Sequence, residues 1–175
     1  MIKQVIEEYK RRKNPIKYWK KRGVKIGQGT KIAPSASFSS EPYLVEIGDN
    51  CNITHKVEFI PHDGACHVLR NLYSELCDVD IFKGKIIVGN NVFIGNHSAI
   101  LSGVKIGDNS IIGYGSIVTK DVPDNVVVCG VPAKVLCTIE EFKSKNSKYF
   151  VQTKNMSYQE KKDFLIKTIE KNNCF

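Results

Sequence analysis

An aliphatic residue recurs every six positions between residues 88 and 118, as Val88, Ile94, Ile100, Ile106, Ile112 and Val118. A helix repeats about every 3.6 residues and a strand every two, so neither produces this spacing. Gly89, Gly95, Gly107 and Gly113 follow four of these aliphatics, and two places before the six stand Ile86, Val92, Ser98, Val104, Ser110 and Ser116. One large and one small inward position per hexad predict a triangular coil, with three short flat faces and a tight corner between faces. Glycine is expected at the corners for its tolerance of positive φ.

The register appears twice more upstream, as Ile26, Ile32, Phe38 and as Ile47, Ile53, Phe59. Val24, Thr30, Ala36, Val45, Cys51 and Val57 take the small or second inward positions. Between these blocks the extra residues Ser39 to Tyr43 break the count, and a longer break, residues 60–85, carries no hexad. A stack of coils cannot absorb that length in its core, so residues 60–85 are expected to leave as a loop and return. Pro123 and Pro132 cannot donate to a ladder and are expected to close the stack.

Helical patterns flank the coil. Ile2, Val5, Ile6 and Tyr9 mark one face of a first helix, and Asn14 with Pro15 caps a second that runs through Trp19. Ser157 and Glu160 form a capping box ahead of Phe164, Leu165, Thr168 and Ile169. A terminal helix covering the last coil would protect an open sheet edge. The expected fold is therefore all-β, a parallel β-helix of hexapeptide repeats with short terminal helices. Its expected divisions are a basic arm (1–22), the coil (23–138) and a helical tail (139–175).

Charge is unevenly placed. Residues 1–22 hold nine Lys or Arg against Glu7 and Glu8, whereas residues 23–138 hold nine basic and eleven acidic residues. A slightly acidic body is a poor footprint for nucleic acid. The arm reads first as a solvated helix packed on the coil or on a neighbouring subunit, and its charge also suits an anionic membrane surface or a lipid-linked substrate. The six cysteines show no CxxC pair, and Cys51 at a small inward position reads as a buried thiol. With no long apolar run and no leader pattern after Met1, a cytoplasmic protein is expected, with peripheral contact at the inner membrane face left open.

The string Ile86-Ile87-Val88-Gly89-Asn90-Asn91, then Gly103-Val104-Lys105-Ile106-Gly107-Asp108-Asn109, Gly115-Ser116-Ile117-Val118-Thr119-Lys120-Asp121-Val122-Pro123 and Gly130-Val131-Pro132-Ala133-Lys134 resembles the galactoside/maltose O-acetyltransferase group. That group belongs to the hexapeptide-repeat, left-handed β-helix acetyltransferases, and the likeness spans residues 44–136. His62-Asp63-Gly64 with Arg70 downstream is most similar to the polysaccharide O-acetyltransferase branch. The resemblance implies a homotrimer with active sites between subunits, acetyl-CoA as acyl donor, no metal, and a sugar or polysaccharide-precursor hydroxyl as acceptor. The left hand of the coil comes from the resemblance, against the usual right-handed crossover.

Carried over residue by residue, His62 stands at the catalytic position, where an imidazole takes the acceptor's proton as it attacks the thioester. Asn96, Tyr114, Thr119, Lys120 and Lys134 fall at coenzyme A positions, the last three near the nucleotide phosphates. Tyr114 replaces a usually small residue, and Cys137 replaces a second basic one. Asp63, His67 and Arg70 are candidates for the acceptor pocket. Other readings stay open: a sugar-nucleotide N-acetyltransferase, a serine O-acetyltransferase, Cys66 as a nucleophile, a coil serving only assembly, or a γ-class carbonic-anhydrase-like zinc enzyme using the spacing of His62 and His67.

Overall fold

A computed structural model describes residues 2–172; Cys174 lies outside them. Each turn of the chain visits three parallel sheets in rotation. Face A holds β1 (Lys25–Ile26), β3 (Val45–Ile47), β6 (Ile86–Val88) and β9 (Lys105–Ile106). Face B holds β2 (Lys31–Ile32), β4 (Asn52–Ile53), β7 (Phe93–Ile94), β10 (Ile111–Ile112) and β12 (Val126–Gly130). Face C holds β5 (Glu58–Ile60), β8 (Ala99–Leu101) and β11 (Ile117–Val118), with Ser37 bridging Glu58 below. The in-register pairs put every hexad aliphatic over its equivalent in the next coil: Ile53 over Ile94, Phe59 over Ile100, Val88 over Ile106. All of them are buried, as are Ser98, Ser110 and Ser116 between them.

The glycines occupy their corners for a different reason from the one expected. Positive φ falls two residues later, at Asn50, Asn91, His97 and Asn109, or at Gly29, Gly103 and Gly115. The glycine after the aliphatic instead lies against the next coil. A Cβ on Gly95 would stand 2.7 Å from the Tyr114 nitrogen, and one on Gly107 would stand 2.6 Å from that of Asp124. Close approach of backbone to backbone therefore selects glycine there, and asparagine takes the left-handed position that it tolerates best among side-chain-bearing residues.

The corner between faces A and B is stapled by side chains. The Asp49 carboxylate accepts from the Gln28 nitrogen (2.6 Å), Asn90 from that of Asp49 (2.9 Å), Asp108 from that of Asn90 (2.6 Å) and Asp124 from that of Asp108 (2.8 Å). Asn91, Asn109 and Asn125 form a second ladder beside it. Pro123 sits in this corner, so its missing N–H costs no ladder bond, and the stack does not end there. Face B gains β12 beyond it, parallel to β10, and only then turns back into antiparallel β13 (Ala133–Thr138).

Helices take a larger share than an all-β description allows. Helix α1 (Ile2–Lys13) leads to α2 (Pro15–Lys20), whose first turn is capped by Asn14 Oδ1 accepting from the Lys17 nitrogen at 2.9 Å. Trp19 of α2 closes the lower end of the coil: it packs 4.7 Å from Phe38, which stacks 4.7 Å from Phe59, one aromatic column up the axis. The insertion is folded, with α3 (Cys66–Leu72) and a single 3-10 turn at Ser74–Leu76.

The chain divides into two compact units, Met1–Phe142 and Lys143–Phe175. Helix α4 (Ile139–Asn146) crosses that division. In the second unit, α5 (Tyr158–Asn172) spans fifteen residues and starts on the expected capping box: the Ser157 nitrogen donates to Glu160 Oε2 (2.8 Å) and the Glu160 nitrogen to Ser157 Oγ (3.3 Å). Hydrogen bonds to the Glu160 carboxyl from the Ser157 hydroxyl and backbone nitrogen hold it below its ordinary range.

Candidate active site

Both interruptions of the hexad register fall on one edge of the prism, the corner where face C turns into face A. The first, residues 39–43, leads into a short 3-10 turn (Pro42–Leu44) and supplies Glu41. The second, one coil higher, begins at buried Pro61 and supplies His62. Their side chains meet: His62 Nδ1 lies 2.7 Å from Glu41 Oε2. A carboxylate only accepts, so Nδ1 carries the proton, and in the neutral ring Nε2 is then the nitrogen with the lone pair. Ser40 Oγ donates to the same Glu41 oxygen at 2.9 Å and lies 3.5 Å from Nδ1. The His62 side chain remains 35% exposed and that of Glu41 19%. The pair is thus a held imidazole with one open nitrogen at the mouth of a loop.

The loop's neck is fixed from the coil above. Ser102 Oγ donates to the Pro61 carbonyl at 2.6 Å, lies 3.3 Å from the Gly84 carbonyl, and accepts from the Lys83 nitrogen at 3.1 Å. One hydroxyl therefore ties the exit and the return of the insertion to one coil, which holds His62 to a defined place on the edge.

Within the insertion, two of the three acceptor-side candidates are engaged in the loop's own structure. Asp63 Oδ1 accepts from the Ala65 nitrogen at 3.0 Å, and its backbone bridges Ile81. Arg70 donates through Nε to the Val79 carbonyl at 2.7 Å and pairs with Asp80. His67 is exposed, with Nε2 3.3 Å from Asn71 Nδ2. Cys66 is buried, its thiol 3.7 Å from Asp80 Oδ1. Among the described residues no three His, Cys, Asp or Glu side chains gather as a metal site. Cys51 is buried as expected, its thiol donating to the Gly89 carbonyl (3.1 Å), and burial pushes that thiol's pKa up.

The coenzyme A candidates fall in three places. Thr119 and Lys120 are exposed on the same edge as His62, two ladder steps further along face C, roughly 10 Å at the usual strand spacing. Asn96 and Tyr114 lie on the opposite edge of face C. There Asn96 Oδ1 accepts from the His55 nitrogen at 3.0 Å, and Tyr114, 72% exposed, stands 5.4 Å from the His97 ring. Lys134 is exposed on β13, opposite Cys129 at the end of face B. Within one chain, face C thus separates Asn96 and Tyr114 from His62.

Glu41, Ser40 and Ser102 join the candidate site around His62 and are not marked by the motif string. A signal for Glu41 does exist: a carboxylate inside the extra residues of one corner, on the edge that one coil later carries the histidine.

The profile described as "Bacterial transferase hexapeptide (six repeats)" matches residues 85–120. Protein CapG of Staphylococcus aureus is 43% identical over 155 residues, 87% of this chain and 88% of that protein. Galactoside acetyltransferase in complex with coenzyme A superposes with a TM-score of 0.60 at 29% identity, over 82% of each chain. A hexapeptide-repeat acetyltransferase of Vibrio cholerae O1 biovar eltor, complexed with acetyl-coenzyme A, gives 0.58 at 28% identity, over 66% of this chain and 60% of that one. The chain belongs to the bacterial hexapeptide-repeat family of acetyltransferases.

Proposed function

We propose that the chain moves an acetyl group from acetyl-CoA to a hydroxyl of a sugar or polysaccharide precursor, with His62 as general base. The observation that carries this is the Glu41–His62 pair, 2.7 Å apart on the edge that also bears Thr119 and Lys120. A hydroxyl is a weak nucleophile until a base takes its proton during attack. Nε2 of His62 is free for that proton, and the Glu41 carboxylate fixes the ring and stabilises the imidazolium that forms. The hydroxyl oxygen bonds to the thioester carbon, the C–S bond breaks, and the proton held by His62 passes to the departing thiolate of coenzyme A.

Thr119, Lys120 and Lys134 form the proposed phosphate side, where an ammonium serves as a point charge. Asn96 and Tyr114 flank the pantetheine arm from a neighbouring copy. Two features support a homotrimer with shared sites. Face C turns out half-buried Ile60, Ala99, Leu101 and Ile117 with Glu58 the one charged strand residue among them, whereas face A turns out Lys25, Glu46 and Lys105 around Ile87. And the donor-side residues Asn96 and Tyr114 lie on the opposite edge of face C from His62, so a second copy brings them together more directly than one chain does. The left hand of the coil follows from the same family reading. The test is release of free thiol from acetyl-CoA against a panel of sugars, nucleotide sugars and serine. Thiol release dependent on a sugar hydroxyl supports the reading; release with serine alone, or with none, overturns it.

A further inference from the structure

Helix α1 is turned inside out relative to an ordinary surface helix. Its polar side faces α2: Arg11 is half-buried, Glu7 and Glu8 are partly buried, and Gln4, Glu7, Glu8 and Arg11 share a hollow with Tyr18 of α2. Its apolar stripe, Ile2, Val5, Ile6 and Tyr9 at i, i+3, i+4 and i+7, points away, 79%, 66%, 47% and 62% exposed. A 12-residue helix that spends its ionic face inward and presents four large apolar side chains outward is built for an apolar partner.

The chemistry beside the stripe says which partner. Tyr9, the last stripe residue, also lines a cavity of about 490 Å³ between α1 and α2, whose charged walls are Lys10, Lys13, Lys17, Lys21, Arg22 and Glu7. Glu7 is bridged by Lys10 (2.9 Å) and Arg22 (2.8 Å), and Glu8 by Arg11 and by Arg12 at 2.9 Å. Both acids are thereby neutralised, and hydrogen bonds from those cations hold their carboxyls below the usual range. Lys13, Lys17, Lys20 and Lys21 make no salt bridge among the described residues, so the surplus of the arm is positive and outward. A second copy of the arm would bring the same surplus against it. An apolar stripe whose last ring, Tyr9, carries the Lys13 ammonium 5.8 Å from its centroid, beside lysines with no acid partner among the described residues, instead matches a surface with an acyl interior and anionic phosphates above it.

We propose that the α1–α2 hairpin docks the enzyme on an anionic lipid bilayer, with Ile2, Val5, Ile6 and Tyr9 in the acyl boundary and the lysine-lined cavity around headgroup phosphates. No helix among the described residues is long and apolar enough to cross a membrane, so this contact is interfacial. It stands independently of the transferase reading.

The test is co-sedimentation of the full chain with vesicles of phosphatidylcholine alone or with about one third phosphatidylglycerol, at low and at physiological salt. Each Lys→Gln change at Lys13, Lys17 and Lys21 should weaken partitioning about fivefold, and V5S/I6S together at least about tenfold. Raised salt should weaken binding through the lysines. Far-UV circular dichroism and urea unfolding of these variants serve as the folding control, so loss of docking is separable from loss of fold and does not depend on the transferase reading. Equal partitioning to both vesicle types overturns the proposal. So does a fall in oligomer mass for V5S/I6S in sedimentation, which would assign the stripe to a second copy. Full displacement from vesicles by millimolar inorganic diphosphate would reassign the cavity to a free phosphate ligand.

Discussion

Replacing Glu41 by Gln isolates the contribution of a carboxylate whose side chain keeps its size. In the proposed mechanism the His62 ring becomes cationic during proton abstraction, with its charge roughly 4 Å from that of Glu41. Both side chains are partly exposed, at 35% and 19%, so an effective dielectric of about 40 is appropriate, between bulk water and a near-surface pair. Coulomb's law then gives about 2 kcal/mol of stabilisation that is present only once the imidazolium forms. Lost from the transition state alone, that is roughly a 30-fold fall in kcat. The amide adds a second effect: it can donate to Nδ1 and so place the ring proton on Nε2, the wrong tautomer for a base, which deepens the loss. Thiol release at saturating acetyl-CoA reads kcat directly, and KM for acetyl-CoA should stay within about twofold, since Glu41 touches no proposed donor group. A kcat within threefold of the parent would refute the positioning role. A raised KM with kcat unchanged would place Glu41 in donor binding instead.

Three further changes test other parts of the account. Lys120→Ala should raise KM for acetyl-CoA by about fivefold with kcat little changed, the result expected from losing one exposed point charge on a phosphate; steady-state kinetics with varied acetyl-CoA checks it, and an unchanged KM removes Lys120 from the site. Gly95→Ala places a Cβ 2.7 Å from the Tyr114 nitrogen and should cost about 1–3 kcal/mol in urea unfolding. Gly64→Ala, where a Cβ meets nothing within 4 Å, should stay within about 0.5 kcal/mol, and equal effects at the two glycines would contradict the close-approach account of the corners.

The coil was legible because its inward positions repeat within each of the three blocks, Val24 to Phe38, Val45 to Phe59 and Ile86 to Val118, and burial follows that repeat residue by residue. The corners were legible in position but not in cause. Gly89 and Gly95 mark the turns, yet the constraint on them comes from Asp108 and Tyr114 of the next coil, a full coil of three hexads away in sequence, which no local propensity reports. Glu41 escaped for a similar reason: 21 residues separate it from His62, and only the stacking of two register breaks on one edge brings them together. Pro123 misled because a proline at a corner needs no N–H, so the ladder passes it and gains β12. In the arm, the stripe of Ile2, Val5, Ile6 and Tyr9 was readable as one helix face. That it points outward depends on Glu7, Glu8 and Arg11 packing toward Tyr18, a tertiary choice.

The measurement that bears most directly on the proposed mechanism is the turnover of His62→Ala with acetyl-CoA and the best acceptor of the panel. A lost general base lowers kcat by about 10²- to 10⁴-fold, with KM for acetyl-CoA unchanged because His62 lies apart from Thr119, Lys120 and Lys134. Near-normal turnover by that variant would contradict the account and move the base elsewhere on the edge.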